Sequence, residues 1–160
     1  MKDHHHELKD EFWDRLEDIS AGMLSTLAAP ARPMAHIVRD DDEGLLWFIT
    51  AKGTDIAEAA AQGSAATHMV ACPKGKLFAT VEGTLSGVDD AKVLDDIWSP
   101  TAAAWFEDGR EDEAICLVKF TPRTAEVWLT DGSAKFLYEV AKANLTDGTP
   151  DVGAHGTLTF

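Results

Sequence analysis

The sequence predicts a mainly β protein with flanking helices, built as one small antiparallel β-barrel. About six short apolar runs are separated by turn residues, and few helix-length segments lie between them. The chain has 160 residues, of which 45% are apolar, and this is enough for one buried core. Side chains fill a barrel of this size, so we expect a ligand to bind outside it, where two subunits meet.

The N-terminal part of the chain predicts a helix and then a strand. Residues 7–22 show helical spacing and end at a glycine, which is a stop signal. The apolar positions of this pattern are Leu8, Phe12, Leu16, Ile19 and Met23. Residues 23–28 predict the first strand. Residues 1–6, with their run of three histidines, are expected to form a disordered tail.

Two apolar runs, residues 34–39 and 45–50, predict a hairpin around a solvated acidic loop. In this pairing the start of the first run lies beside the end of the second. Arg32 precedes the first run, and Thr50, Lys52 and Thr54 stand at the end of the second. The hairpin therefore predicts a corner where a cation and hydroxyl groups gather, which is suited to a phosphate.

The middle of the chain alternates between strands and short helices. Residues 54–63 predict a helix that Thr54 or Asp55 caps, because it is rich in alanine and ends at Gly63. Strands are predicted at 66–72 and 77–88, with Gly83 allowing a bulge in the second. Residues 89–97 predict a capped helix. Ser99 and Pro100 predict the start of another helix, with Gly109 beyond its end.

The C-terminal part predicts a final hairpin that turns at residues 121–123, where a proline interrupts two apolar runs. Residues 133–145 fit either a strand or a helix, with a weak preference for helix. Residues 146–160 are expected to be a loop-like tail. Since no linker or repeat appears, residues 1–160 predict a single domain.

Charge and composition limit the partners and the compartment. The formal net charge is −14, and such a surface repels nucleic acid and anionic lipid, so we expect neither as a partner. No apolar run reaches the roughly 20 residues that span a bilayer, and no secretion signal is present. With Cys72 and Cys116 isolated and expected to be buried thiols, a cytoplasmic location is predicted. The histidines and cysteines lack metal-ligand spacing, so no metal site is predicted.

An ordered set of motifs resembles the pyridoxamine 5′-phosphate oxidase-like FMN-binding split-barrel family, in its general stress protein branch. The motifs are FWDRLEDI (12–19), ML-T (23–26), RPM (32–34), LWFIT (46–50), VEG (81–83), WSP…AWF (98–106) and TPRTAEVW (121–128). The resemblance implies a six-stranded antiparallel split β-barrel that forms a homodimer. It also implies FMN at the subunit interface.

The resemblance implies roles for individual residues of this chain. Arg32 and Thr54 resemble phosphate ligands, and Lys52 lies where it could assist them. The residues implied along the flavin ring and ribityl chain, partly through backbone groups, are Pro33, Met34, Phe48, Ile49 and Thr50. Trp105 either covers the flavin ring or packs in the core or the dimer. Where the family has a lysine two residues after its phosphate-binding serine, this chain has Asp55 and then Ile56.

Two functions follow from these features. One is a flavin-dependent oxidoreductase that passes electrons between a small donor, such as a reduced nicotinamide, and an unidentified acceptor. No catalytic acid or base is predicted, and pyridoxamine phosphate oxidation is not expected. The other is a cofactor-free stress or scaffold protein that has lost tight flavin binding, because Asp55 repels a phosphate. Without the resemblance, Arg32 and Lys52 also fit ordinary surface charges, and Thr50 and Thr54 ordinary strand-end and cap residues.

Overall fold

The structure is a computed structural model that describes residues 4–130, 141–142, 145 and 153–160. In chain order its helices and strands are α1 (His4–Glu17), β1 (Gly22–Ser25), β2 (Arg32–Met34), β3 (Leu46–Ala51), α2 (Asp55–Ala61), β4 (Ala65–Cys72), β5 (Leu77–Val88), α3 (Ala91–Ile97), α4 (Pro100–Ala103), a 3-10 turn (Gly109–Glu111), β6 (Ile115–Thr130) and β7 (Gly153–Thr159).

The strands form one antiparallel sheet of seven strands in the order β2-β1-β4-β5-β6-β3, with β7 also pairing with β6. Strand β6 is long enough to pair with β3 through its first half and with β7 through its second half. Within the described residues, the end strands β2 and β3 share no ladder. A single bridge between Ile37 and Trp47 joins the chain after β2 to β3. The predicted split barrel is confirmed, and the described residues contain seven strands where six were expected.

The hairpin predicted at residues 34–39 and 45–50 is wrong apart from that bridge. Strand β2 pairs with β1, and β3 pairs with the distant β6. Strand β3 pairs with β6 and not with residues 34–39, because this pairing buries Leu46 and Phe48 completely. The loop between the runs is also less solvated than expected. Asp42 accepts hydrogen bonds from Arg39 and from the Trp47 indole, each 2.7 Å long.

The hairpin predicted around residues 121–123 is also wrong, because β6 runs through this segment without reversing. Pro122 lies opposite Gly83, at the point where the register between β5 and β6 shifts. A Cβ on Gly83 would stand 2.3 Å from the carbonyl oxygen of Thr121, so only glycine permits this close approach. The proline is therefore accommodated by a bulge, which bends the strand.

The chain ends differ from expectation as well. Helix α1 begins at His4, so residues 4–6 are helical, and it ends at Glu17. Gly22 begins β1 and does not end a helix; only glycine fits there, because a Cβ would meet the Met69 carbonyl oxygen at 2.6 Å. Met23, predicted on the apolar face of the helix, lies in β1 and is exposed. Residues 153–159 form β7 instead of a loop. The rest of the tail and most of residues 133–145 lie outside the described residues, although Ala141, Lys142 and Leu145 are helical.

Local signals in the middle of the chain are confirmed. Thr54 caps α2, Asp90 caps α3, and Ser99 caps α4 with Pro100 as its first residue. Helix α4 is shorter than expected, and Gly109 begins the 3-10 turn instead of closing the helix. Strands β4 and β5 occupy almost the predicted residues. In the described residues, every helix falls short of the length and apolar content that a membrane-crossing segment requires.

Side chains fill the barrel, as predicted. The largest fully buried side chains of the interior include Phe12, Leu16, Leu24, Phe48, Leu77, Leu85, Phe120 and Leu158. Helix α1 closes one side of this core through Phe12 and Leu16. A second cluster lies on the other face of β3, where α3 packs Val93, Leu94 and Ile97 near Trp47. Because the interior is occupied, a ligand must use a surface cavity.

Candidate functional site

A cavity of about 630 Å³ lies outside the barrel core, between the split edge of the sheet and α4. This volume falls in the usual range of small-molecule sites, roughly 300–1,000 Å³. Its apolar walls are Ala21, Pro33, Met34, Ala35, Ile37, Ile49, Ala51, Ala102, Trp105 and Phe106, and its hydroxyls come from Ser20, Thr50, Thr54, Ser99 and Thr101. The remaining lining residue is His36. The cavity is thus mostly apolar and suits a flat, largely uncharged group.

Most of the residues predicted for a cofactor line this cavity: Pro33, Met34, Ile49, Thr50, Thr54 and Trp105. The bridge between Ile37 and Trp47 places the chain after β2 alongside β3 and so brings Pro33 and Met34 near Ile49 and Thr50. Trp105 stands at the cavity with 81% of its surface exposed. Ser20, Ser99 and Thr101 were not predicted to line the cavity. Their positions depend on how the chain after α1 and the start of α4 pack against β2 and β3.

Three predicted residues do not line the cavity: Arg32, Phe48 and Lys52. The Phe48 side chain is fully buried in the barrel, against the rings of His68 and Phe120, so only its backbone could approach a ligand. Lys52 lines a separate polar cavity of about 230 Å³, together with Arg110 and several acidic residues. Lys52 misses the larger cavity because it follows the end of β3, where its N–H donates to the Ala114 carbonyl oxygen at 2.8 Å.

The hydroxyls of Thr50 and Thr54 form a short chain at one end of the cavity. The Thr54 Oγ1 accepts a hydrogen bond from the Ala57 N–H at 3.2 Å and donates to the Ala51 carbonyl oxygen at 2.9 Å. The two hydroxyl oxygens are 3.1 Å apart. Since the Thr54 proton is already used, Thr50 is the donor between them. Thr54 therefore caps α2, and Thr50 presents its remaining lone pairs.

Arg32 is not on the cavity wall, but it precedes Pro33, which is, and it pairs with Asp55, the first residue of α2. Its Nη2 donates to the Asp55 carboxylate at 2.9 Å, and its side chain is 33% exposed. Its Nε is buried and has no hydrogen-bond acceptor among the described residues. Nε–H and one Nη2–H point in the same direction along one edge of a guanidinium, which is the edge that binds two oxygens of one anion. Asp55 therefore occupies half of this edge.

A buried histidine pair that was not predicted adjoins the cavity. His36 Nε2 lies 3.1 Å from the Leu16 carbonyl oxygen, and His36 Nδ1 lies 2.9 Å from His68 Nε2. The carbonyl can only accept, so His36 carries its proton on Nε2, and His68 Nε2 donates to His36 Nδ1. The His68 Nδ1 is left as a buried acceptor without a partner in the described residues. Position 68 alternates with Ala66 and Val70 toward the interior, and this pattern could have revealed it.

Burial keeps both imidazoles neutral. It lowers the pKa of His36 despite hydrogen bonds to backbone carbonyls, and it lowers the pKa of His68 to about 3, with His36 adding to that shift. In the unfolded chain both histidines bind a proton near the ordinary histidine pKa of 6.5, whereas in the folded chain they stay neutral at that pH. Their contribution to stability is therefore complete above pH 6.5 and is lost as the pH falls toward 3.

Replacing His68 with glutamine should reduce the loss of stability in acid. When the pH falls from about 7.0 to 5.5, a histidine with this pKa shift lowers the free energy of unfolding by about 1 kcal/mol. The amide of the introduced glutamine can still donate to His36 but does not titrate in this range. Urea denaturation at both pH values measures the difference. An unchanged slope for His68→Gln would contradict the assignment.

The cavity offers no strong acid or base. Among the described residues that line it, none is a carboxylate, a thiol, a lysine or an arginine. Both nitrogens of His36 are already engaged. The two free cysteines are half-buried, less than expected, and burial raises the pKa of the Cys116 thiol despite the nearby Lys52. The arrangement can bind and orient a molecule, but reactive chemistry would have to come from the molecule itself.

The sequence matches the family described as pyridoxamine 5′-phosphate oxidase like over residues 7–151. The chain belongs to this family. The resemblance based on its motifs is therefore confirmed.

Solved structures of similar proteins support the same fold. A general stress protein 26 from Jannaschia is 46% identical, covers 98% of this chain and 99% of its own, and has a TM-score of 0.88. A general stress protein from Xanthomonas campestris is 32% identical, with 80% and 92% coverage and a TM-score of 0.68. A general stress protein from Xanthomonas citri, described as FMN/FAD binding, is 30% identical, with the same coverage and a TM-score of 0.71. Among proteins with curated functions, none matches significantly.

Proposed function

We propose that this protein binds FMN in the 630 Å³ cavity and acts as a flavin-dependent oxidoreductase on a small molecule. The observation that carries the proposal is the Arg32 guanidinium, which adjoins the cavity through Pro33 and has a buried Nε–H without an acceptor in the described residues. A phosphate oxygen would satisfy that donor. The Xanthomonas citri relative, described as FMN/FAD binding, supports the same cofactor class.

Different residues would bind different parts of the flavin. Arg32 would bind the phosphate, and Thr50 would accept a hydrogen bond from a ribityl hydroxyl of the flavin. Pro33, Met34 and Ile49 provide apolar surface for the ring, and Trp105 is free to cover it. Bound flavin supplies hydride or electron transfer with a small donor, for which a reduced nicotinamide is our candidate. Because the cavity residues include no free acid or base, they would orient the reactants and exclude water.

We further propose that the functional unit is a homodimer. Met23 and Met69 are 40% and 50% exposed on the outer face of the sheet, and they are direct neighbours across β1 and β4. Met23 is also paired with Pro33, which lines the cavity. This exposed apolar row therefore continues into the cavity wall. A second copy on this face would bury the methionines and narrow the cavity opening.

The ion pair between Arg32 and Asp55 favours a second candidate function. A carboxylate already neutralises the cation that the phosphate would need. If this pair persists in the presence of FMN, the protein is a cofactor-free stress or scaffold protein, in which the cavity serves another purpose.

A titration with FMN separates the two functions. We expect saturable quenching of flavin fluorescence with a Kd of about 1–10 μM, together with quenching of the protein's tryptophan fluorescence. Adenosine monophosphate serves as the control, because it has a phosphate but no isoalloxazine ring, and it should compete poorly. No saturation up to about 1 mM FMN would instead support the cofactor-free function.

A further inference from the structure

We propose that Asp55 is a specificity-determining residue, because it competes with the ligand's phosphate for Arg32. In this role Asp55 sets the preference of the cavity between phosphorylated and unphosphorylated forms of the same ligand. The inference rests on the proposed function, since it concerns the same cavity, but it makes a separate prediction about the ratio of two affinities.

The geometry makes the two partners of Arg32 mutually exclusive. The Asp55 Oδ2 is 2.9 Å from Nη2, which is one of the two donors on the edge that an anion would bind. The other donor, Nε, is buried and has no acceptor in the described part of the chain. A phosphate that binds both donors must take the Nη2 hydrogen from Asp55. The Asp55 side chain is 57% exposed, so it is able to swing into solvent.

Local charge leads to the same conclusion. The described residues on the cavity wall include no lysine or arginine, Lys52 faces the separate polar cavity, and Arg32 adjoins the cavity through Pro33. One guanidinium would then face a phosphate of charge about −2 and a carboxylate at the same time. A carboxylate and a phosphate held on the same guanidinium would repel each other. A phosphate therefore replaces the carboxylate at Arg32, whereas a neutral ligand leaves the ion pair intact.

Asp55→Asn tests this competition without removing the helix cap, because Thr54 provides the cap. We expect FMN to bind about tenfold more tightly to Asp55→Asn, and riboflavin to change by less than about twofold. Fluorescence quenching of each flavin measures both affinities. Glu58→Gln is the matched control, because it removes the same charge from an exposed position one turn along α2. Its affinities should equal those of the wild type.

Each result bears on a different conclusion. An unchanged FMN affinity in Asp55→Asn, or an equal gain for both flavins, overturns the role of Asp55 while the proposed flavin binding stands. An equal gain in Glu58→Gln shows a general charge effect and also overturns it. If neither the wild type nor Asp55→Asn binds FMN or riboflavin, the proposed function and this inference fail together.

Discussion

Replacing Arg32 with alanine should weaken FMN binding by about 10- to 100-fold and riboflavin binding by less than about threefold. A hydrogen bond to a charged group contributes roughly 1.5–3 kcal/mol, which corresponds to that range of affinity. The loss falls on FMN alone because the two flavins differ only in the phosphate. In Arg32→Ala the Asp55 carboxylate also remains without its cation, 2.9 Å from where the guanidinium was, and repels the phosphate.

Parallel fluorescence titrations of both flavins measure this difference. Arg110→Ala is the control, because Arg110 also pairs with an aspartate, Asp95, but lines the separate polar cavity. Its flavin affinities should stay at the wild-type values. Arg32→Lys should recover only part of the FMN affinity, because an ammonium group keeps the charge but lacks the two-donor edge. An equal loss of both flavins in Arg32→Ala would show that Arg32 supports the cavity and does not bind the phosphate.

Replacing Phe48 with alanine should lower the free energy of unfolding by about 3–5 kcal/mol, since the change leaves a cavity in a filled core. The side chain is fully buried, and its ring lies 5.1 Å from the His68 ring and 6.4 Å from the Phe120 ring, measured between centroids. A loss of this size is a large part of the stability of a typical domain. Equilibrium denaturation in urea measures it.

Phe78→Ala is the matched control for this substitution. Phe78 lies in β5 on the face that leads away from the barrel interior, and it is only partly buried. Its replacement should cost about 1 kcal/mol, because much less apolar surface is removed from contact. A loss below about 1 kcal/mol for Phe48→Ala would contradict the position of Phe48 in the core and would restore it as a candidate for direct ligand contact.

The sequence predicted many residues of the site but not the contacts that they make with one another. Most of the residues predicted for a cofactor line the cavity, chiefly those of the motif at residues 32–34 and of the end of β3. The sequence also placed Asp55 beside Thr54, but only the structure shows that Asp55 holds Arg32. The histidine pair was missed for a similar reason. His36 and His68 are far apart in the chain, and their hydrogen bond exists only because β1 aligns β4 beside the segment that follows β2.

The sequence by itself determined the features that depend on near neighbours. Caps such as Thr54 and Ser99, the alternation along β5 and the bulge at Gly83 follow from residues a few positions apart. Only the tertiary structure decided the partners of β3, the continuity of β6 past Pro122 and the strand formed by residues 153–159. These pairings are determined by apolar surface buried between distant segments, and no local pattern encodes which distant strand offers the better fit.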